Sequence, residues 1–385
     1  MDRSLKPRIC MPSWRRFSRK VFECGLYEAQ DVLVACDDVD LITPEPRAGF
    51  RSRERWHDRL TFRDLSHRLA LMNPGLRARP LTRDYALMVA HCSSYEDLLY
   101  INAIEGWRNR CERSVCWVDE IWAVSLEKYR HWLPVFKQFD HVMVSHRATA
   151  VALSAAIGRP CTWLPAAVDA VRFSPYPRPR PRVVDVYSIG RRQERLHRAL
   201  LAMVAAGELY YVYDTFKASV ADTYDPIEHR SLLANTAKRS RYFMVAPPKV
   251  DQPEETGGEV EVGYRYFEGA AAGCVLLGQP ADCESFRTLF DWPDVVVQAD
   301  ADGSNLAEVV KELDASPDRV EAMSRRNAAE ALRRHDWAYR WHQILDTVGL
   351  APSDRLLARE RWLHDLAAMA GSSDSVKRSG YSSVS

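Results

Sequence analysis

The sequence predicts an α/β protein built on two doubly wound parallel sheets, one in each half of the chain. Three observations carry that prediction. Short apolar runs recur along the chain with helix-length segments between them. Several of these runs are solidly apolar where a half-exposed strand would alternate, which is the pattern of strands buried on both faces. The pattern stops at residues 175–182, Pro-Tyr-Pro-Arg-Pro-Arg-Pro-Arg, and then restarts. Proline there removes amide donors and fixes an extended backbone, so the segment reads as an interdomain linker.

The bulk numbers fit this architecture. A chain of 385 residues is long enough for two domains of ordinary size. Hydrophobic residues make up 46% and charged residues 27%, the balance of a folded, water-exposed protein. The 53 basic and 52 acidic side chains nearly cancel, which argues against a nucleic-acid partner, while the excess of Arg over Lys leaves local anion sites open. Nine cysteines occur without a CxxC pair or Cys/His ligand spacing, so neither a zinc site nor a disulfide framework is expected. The sequence contains no apolar run long enough to span a membrane, and residues 1–8 do not read as a signal peptide. A cytoplasmic location with reduced thiols follows as the expectation.

In the first half, residues 8–12 form the first predicted strand, followed by a helix over 18–34 and a strand over 39–43. Residues 47–84 are rich in Arg and His with weak periodicity. They read as helices and loops whose basic face is either solvated or in contact with an anionic lipid surface, so a peripheral position at the inner membrane face stays open. Residues 85–90 are a buried strand, and 95–110 a helix with Ser94 and Asp97 spaced as a capping box. Strands follow at 114–118, 141–144 and 161–164, with helices over 126–139 and up to Gly158. In the second half, strands are predicted at 183–189, 209–213, 242–246, 274–277 and 295–298. Helices are predicted at 194–206, 227–237 and 284–290, and from Asn305 onward. The expected domains are 1–174 and 183–334 with the linker at 175–182. The Ser-rich residues 371–385 are expected to be disordered.

Ligands of such sheets sit outside the carboxyl ends of the strands. In the second half those ends carry Gly190-Arg191-Arg192, Asp214-Thr215, Pro247-Pro248-Lys249 and the run from Gly257 to Gly278. That run passes from a loop of acids and glycines into a short helix, ends it on Gly273 and drops into an apolar strand. Such a junction offers free backbone N–H groups at the positive end of a helix dipole, which suits phosphate. Spacings of four, three and four place Glu261, Arg265, Glu268 and Ala272 on one helical face. In the first half, strand ends carry His91, Asp119, Glu120 and His146. A histidine at a strand end is more often a hydrogen-bonded structural group than a catalyst, whereas adjacent carboxylates at 119 and 120 point to different sides.

This run resembles the donor-binding segment of GT-B glycosyltransferases of family four, the group 1 glycosyl transferases. Their pattern has two Glu residues separated by seven, with a Gly five before the second and a small-residue run to a Gly five after it. Glu268, Gly263 and Gly273 match; the first Glu position holds Val260, with Glu259 and Glu261 on either side. Gly190 and Arg191 match the family's Gly-Arg. Its Lys five residues beyond the Arg is Leu196 here, with Arg195 one residue earlier. The segment from Leu164 through Asp169 to Pro175 resembles the family's entry to the second domain, with Asp169 read as a structural cap. His335-Asp336-Trp337 and Tyr339-Arg340 resemble its closing helix.

The resemblance implies two Rossmann-like domains facing across a cleft, with C-terminal helices over 335–370 crossing back to the first domain. It implies transfer of a sugar from a nucleotide-diphosphate sugar to a glycan, lipid or small-molecule acceptor, with retention and without a tightly bound metal or other cofactor. Donor binding would fall to Gly190, Arg191, Arg195, Gly263, Tyr264, Arg265 and Glu268, with Arg191 and Arg265 on the diphosphate and Glu268 on the ribose. The catalytic candidates are Glu120, Glu261 and Arg191, with Glu259 as alternative stand-in for the missing first acid. His91, Asp119 and His146 are acceptor-side candidates. Dehydrogenase, P-loop and hydrolase readings lack Gly-x-Gly-x-x-Gly after the first strand, Gly-Lys-Ser/Thr and Gly-x-Ser-x-Gly respectively. A non-catalytic GT-B-like binding protein and a nucleotide-sugar epimerase are the alternatives.

Overall fold

A computed structural model describes residues 7–63, 68–215 and 221–372. Most of the tail expected to be disordered lies outside these residues, as does the short stretch 64–67 of the basic segment. In the first half, six strands form one parallel sheet: β1 (Ile9–Pro12), β2 (Val39–Ile42), β3 (Tyr85–Cys92), β4 (Cys111–Val118), β5 (His141–Val144) and β6 (Cys161–Trp163). Their spatial order is β2-β1-β3-β4-β5-β6. The second half forms a five-stranded parallel sheet from β7 (Val184–Ser188), β8 (Tyr211–Tyr213), β9 (Ser240–Val245), β10 (Val275–Gly278) and β11 (Val296–Gln298). Its order is β8-β7-β9-β10-β11. Strand order reverses between β1 and β3 in one sheet and between β7 and β9 in the other. Loops leaving those neighbouring strands diverge to opposite faces and open a crevice at each sheet's carboxyl edge.

The solidly apolar strands are central, as their composition requires. Ser114–Val118 of β4 is buried throughout, and so is Val275–Gly278 of β10. Helices cover both faces: α1 (Cys24–Cys36), α2 (Phe50–Thr61) and α3 (Arg147–Ile157) on the first sheet, and α4 (Glu194–Ala205), α5 (Pro226–Lys238), α6 (Tyr264–Ala271), α7 (Glu284–Leu289), α8 (Leu306–Asp314) and α9 (Pro317–Arg334) on the second. The inner faces share one continuous hydrophobic cluster, which runs from Ile9 and Leu87 through Phe173 to Phe243 and Leu276.

The last two helices, α10 (Trp337–Thr347) and α11 (Asp354–Gly371), pack back on α1. Trp337 Nε1 donates to Glu28 Oε1 at 3.1 Å and Trp341 Nε1 to the Ala29 carbonyl at 3.0 Å. Asp169 accepts the Arg172 N–H at 3.1 Å, capping the short turn Ala170–Phe173, and Arg359 Nη2 holds Asp169 and Asp336 at 2.6 and 2.7 Å. The proline segment ends on Arg182, whose guanidinium donates to the carbonyls of Ser240 at 2.5 Å and Gly273 at 2.6 Å. Arg182 also donates to the carbonyl of Ala272, the C-cap of α6, at 3.0 Å, so the linker is fixed by a helix terminus that needs a donor.

Two predicted helices are broken in the structure. Residues 95–110 form a turn of helix at Tyr95–Leu98, a 3-10 turn at Leu99–Ala103, a two-residue strand Ile104–Glu105 and a last turn Trp107–Arg110. Leu98, Leu99, Tyr100, Ile101, Ala103 and Ile104 are all buried, which one face of a regular surface helix does not achieve. Ser94 is the N-cap of the first turn but its side chain makes no capping bond; Asp97 accepts instead from the backbone and hydroxyl of Ser93, both at 2.7 Å. Residues 126–139 contain only a 3-10 turn Arg130–Trp132 and the short helix Leu133–Phe136, because Pro134 cannot continue a helix that runs into it.

Candidate active site

A cavity of about 240 Å³ lies where the two carboxyl edges face each other. Val21, Phe22, Gly25 and Glu120 line it from the first half. Arg191, Arg192, His229, Arg230, Lys249 and the stretch Gly263–Arg265 with Glu268 line it from the second. Gly190 follows β7 with φ 89°, and its N–H donates to Asp214 Oδ2 at 2.9 Å. A Cβ on Gly190 would stand 2.9 Å from Arg265 Nη2, so glycine is what lets that guanidinium lie over the backbone.

Gly263 is the N-cap of α6, which begins at Tyr264. The expected helical face therefore keeps Arg265 and Glu268 but loses Glu261, which lies in the extended lead-in. There, Glu261 Oε1 accepts the Arg147 N–H at 2.8 Å, so a carboxylate from the second half caps α3 of the first. Glu261, expected as a catalytic candidate, is buried on that helix end, outside the cavity lining. Burial, then the neighbouring Glu261, pushes the Glu259 carboxyl up, and its Oε1 has no partner among the described residues.

Glu268 is 1% exposed and its two oxygens meet two guanidiniums, Oε1 at Arg230 and Oε2 at Arg265. Arg230 also pairs with Glu28 of α1, Nε to Oε2 at 2.8 Å and Nη2 to Oε1 at 3.0 Å. A buried chain of alternating charge, Glu28–Arg230–Glu268–Arg265, thus runs from the first half into the cavity wall. Burial alone would push the Glu268 carboxyl up; Arg265 and Arg230 outweigh it and hold the group below the ordinary carboxylate range.

Lys249 ends the loop after β9 in a left-handed conformation, φ 52°, and its Nζ stands 2.6 Å from Glu120 Oε1 and 2.9 Å from Glu255 Oε2. Burial pushes the Glu120 carboxyl up, and the Lys249 ammonium more than reverses that, leaving it below its ordinary value. A carboxylate held down in this way is a weaker base than a free one. Arg191, half-exposed at the rim, donates to Asp251 Oδ1 at 2.8 Å and Gln252 Oε1 at 2.6 Å. Arg195 is exposed on α4, outside the cavity lining.

Three acceptor-side candidates turn out to be interior or interdomain residues. His91 is fully buried, stacked on Trp117 at 4.2 Å and bonded through Nε2 to Asp119 Oδ1 at 3.0 Å. Asp119 Oδ2 accepts the Tyr264 hydroxyl at 2.5 Å, tying the two halves together. His146 is buried with Nδ1 2.9 Å from the Ile121 carbonyl, and burial lowers its pKa. Of the four acceptor-side residues, only Glu120 reaches this cavity. Sequence reasoning did not single out Lys249 as a site residue, although it sits at the carboxyl end of β9 beside the switch point. It also missed Arg230 and His229, on α5. Burial and then the Arg230 and Arg265 charges lower His229 to about 4, so its imidazole faces the cavity neutral at pH 7.

Residues 192–346 match a protein family described as glycosyl transferase-like. No curated protein sequence matches the chain. Among solved structures, an alpha-glucosyltransferase in complex with UDP and a DNA 13-mer superposes with a TM-score of 0.54. The identity is 12%, over 89% of this chain and 99% of that one. An alpha,alpha-trehalose-phosphate synthase (UDP-forming) from Burkholderia vietnamiensis gives 0.52 at 12% identity, over 89% and 100%. The N-terminal domain of a trehalose-6-phosphate phosphatase from Candida albicans gives 0.53 at 9%, over 93% and 98%. At these identities the likeness is one of fold, and the fold is GT-B: two Rossmann-like domains with their carboxyl edges across a cleft.

Proposed function

We propose that this protein is a glycosyltransferase that takes its sugar from a nucleotide-diphosphate donor held on the second-half wall of the cleft. The observation that carries the reading is the convergence of Arg191, Lys249 and Arg265 with the N-terminus of α6 on one cavity at the β7/β9 switch point. Fixed cations and free N–H groups at a parallel sheet's carboxyl edge suit a diphosphate. The family match over residues 192–346 spans most of this half, and the solved neighbours named with UDP share the fold.

In the resting cleft the cations are neutralised by nearby carboxylates: Arg191 by Asp251, Lys249 by Glu120 and Glu255. A donor diphosphate replaces those partners and leaves Glu120 facing the acceptor. During transfer the bond from the anomeric carbon to the β-phosphate oxygen breaks, the diphosphate leaves with the electron pair, and the acceptor oxygen bonds the anomeric carbon. In the retaining course that we favour, a diphosphate oxygen takes the acceptor proton, so catalysis rests on positioning and on stabilising the leaving group. Arg191, Lys249 and Arg265 supply the countercharge.

A second reading, a sugar-nucleotide-binding protein without turnover, is favoured by one feature. Three of the acids expected to serve the cleft already have partners: Glu120 on Lys249, Glu261 on α3, Glu268 on two arginines. Incubation with UDP-, GDP- and ADP-sugars separates the two. Release of nucleoside diphosphate that Lys249→Ala and Arg191→Gln both depress supports transfer. Tight donor binding with no release, in the presence of candidate acceptors, supports the second reading.

A further inference from the structure

We propose that the solvent face of α2 docks on an anionic lipid surface. Along α2, Arg55 and Arg59 alternate with Trp56 and Leu60, and these four residues fall on one side of the helix by their spacing. Trp56 is 62% exposed and Leu60 49% exposed, and Arg59 lies over the Trp56 ring at 5.6 Å. Arg63, just past the helix end, is exposed too, whereas the Phe62 ring packs on Tyr129, His131 and Trp132 of the same half.

The acids of the helix point the other way. Glu54 accepts the Tyr100 hydroxyl beneath α2, and Asp58 is half-buried, with burial followed by Glu54 and Glu96 pushing its carboxyl up to about 6. The buried side, Phe50 and Thr61, rests on an aromatic cluster with Phe17 and Tyr100, the Phe17 ring 5.3 Å from Phe50. Among the described residues the exposed side of α2 therefore carries arginine and large apolar side chains without carboxylates among them.

That separation decides the class of partner. A solvated face needs no tryptophan, and a duplex phosphate backbone is met by cations with polar neighbours, whereas Arg beside Trp and Leu matches a charged headgroup layer above an acyl boundary. No helix among the described residues is long and apolar enough to cross a membrane, so the contact is peripheral. It is independent of the donor chemistry proposed above.

Vesicle co-sedimentation of the full chain tests this. Binding is expected to vesicles of phosphatidylcholine with about 30% phosphatidylglycerol and not to phosphatidylcholine alone, and to weaken as salt rises from about 0.1 to about 0.5 M. Arg55→Gln with Arg59→Gln should weaken it about 30-fold. Trp56→Ser with Leu60→Ser should abolish the part that survives high salt. All four side chains are exposed, so unchanged melting of both variants is the control. No binding to the anionic vesicles, equal binding to the neutral ones, or full binding by the arginine variant overturns the proposal. Duplex DNA bound as tightly as the vesicles, with the Trp56/Leu60 variant unaffected, overturns it in favour of a nucleic-acid face.

Discussion

Arg230→Met removes one guanidinium from between two buried carboxylates while keeping much of the side-chain bulk. Glu28 and Glu268 are each 1% exposed, and Arg230 makes two bonds to the first and one to the second. After the change Glu268 keeps Arg265, but Glu28 keeps only neutral donors, the Asp169 N–H at 2.8 Å and Trp337 Nε1 at 3.1 Å. Removing one partner of a buried ion pair costs about 3–5 kcal/mol, because the remaining charge stays out of water. For a chain of this size that corresponds to a melting temperature lower by about 4–6 °C.

The pH dependence has a definite sign. In the unmodified protein the depressed Glu268 carboxyl contributes stability above the ordinary carboxylate range, and that contribution is lost as pH falls through the group's folded value. In the variant an orphaned buried carboxylate binds its proton more readily folded than unfolded. Its cost is then full at neutral pH and shrinks on acidification. Melting followed by circular dichroism at about pH 7 and about pH 5 should show the gap between the two proteins narrowing at the lower pH. A variant that melts within about 2 °C of the parent at neutral pH, or a gap that widens on acidification, refutes the reasoning.

Lys249→Ala removes a cation from the cavity and should weaken UDP binding about 10- to 100-fold by calorimetry, the range of one charge-assisted hydrogen bond. His229 should titrate near 4 in the free protein by NMR, and UDP in the cavity should raise that midpoint by placing an anion beside the imidazolium. Because its folded value is depressed, His229 also costs stability as pH falls below the ordinary imidazole range towards that midpoint. An unmoved midpoint at saturating UDP would place the nucleotide elsewhere. Gly269→Ala puts a Cβ 2.5 Å from Leu276 Cδ2 and 2.8 Å from the Phe243 ring, so denaturant unfolding should show a loss of about 1–3 kcal/mol.

Local patterns were legible where one element supplies the whole signal. Residues 141–144 are a strand as their apolar run predicts, and Gly263, Arg265 and Glu268 sit together because one loop and one helix carry them. Lys249 was legible in part: it stands at a strand end among the expected ligand-facing loops, but no neighbour in sequence marks it as the partner of Glu120, 129 positions earlier. Arg230 gave no signal at all. It is one arginine in an ordinary helix, and its two partners come from α1 and α6. His91 and Asp119 illustrate the reverse case. Their strand-end positions suggested an open site, and the packing of Trp117, Trp337 and Trp341 closed it.

By itself the sequence determined two parallel sheets, the break at the proline segment and the phosphate-suited turn into α6. Each is a property of residues close together in the chain: apolar run length, amide donors lost to proline, a glycine ahead of a helix. Tertiary structure alone decided which charges are free to meet a ligand. Glu261 became a cap on α3, Glu268 a buried acid between two arginines, and Asp119 a tie to Tyr264. A carboxylate's role depends on the charges and burial within a few ångströms of it, and in this fold those neighbours arrive from the other half of the chain.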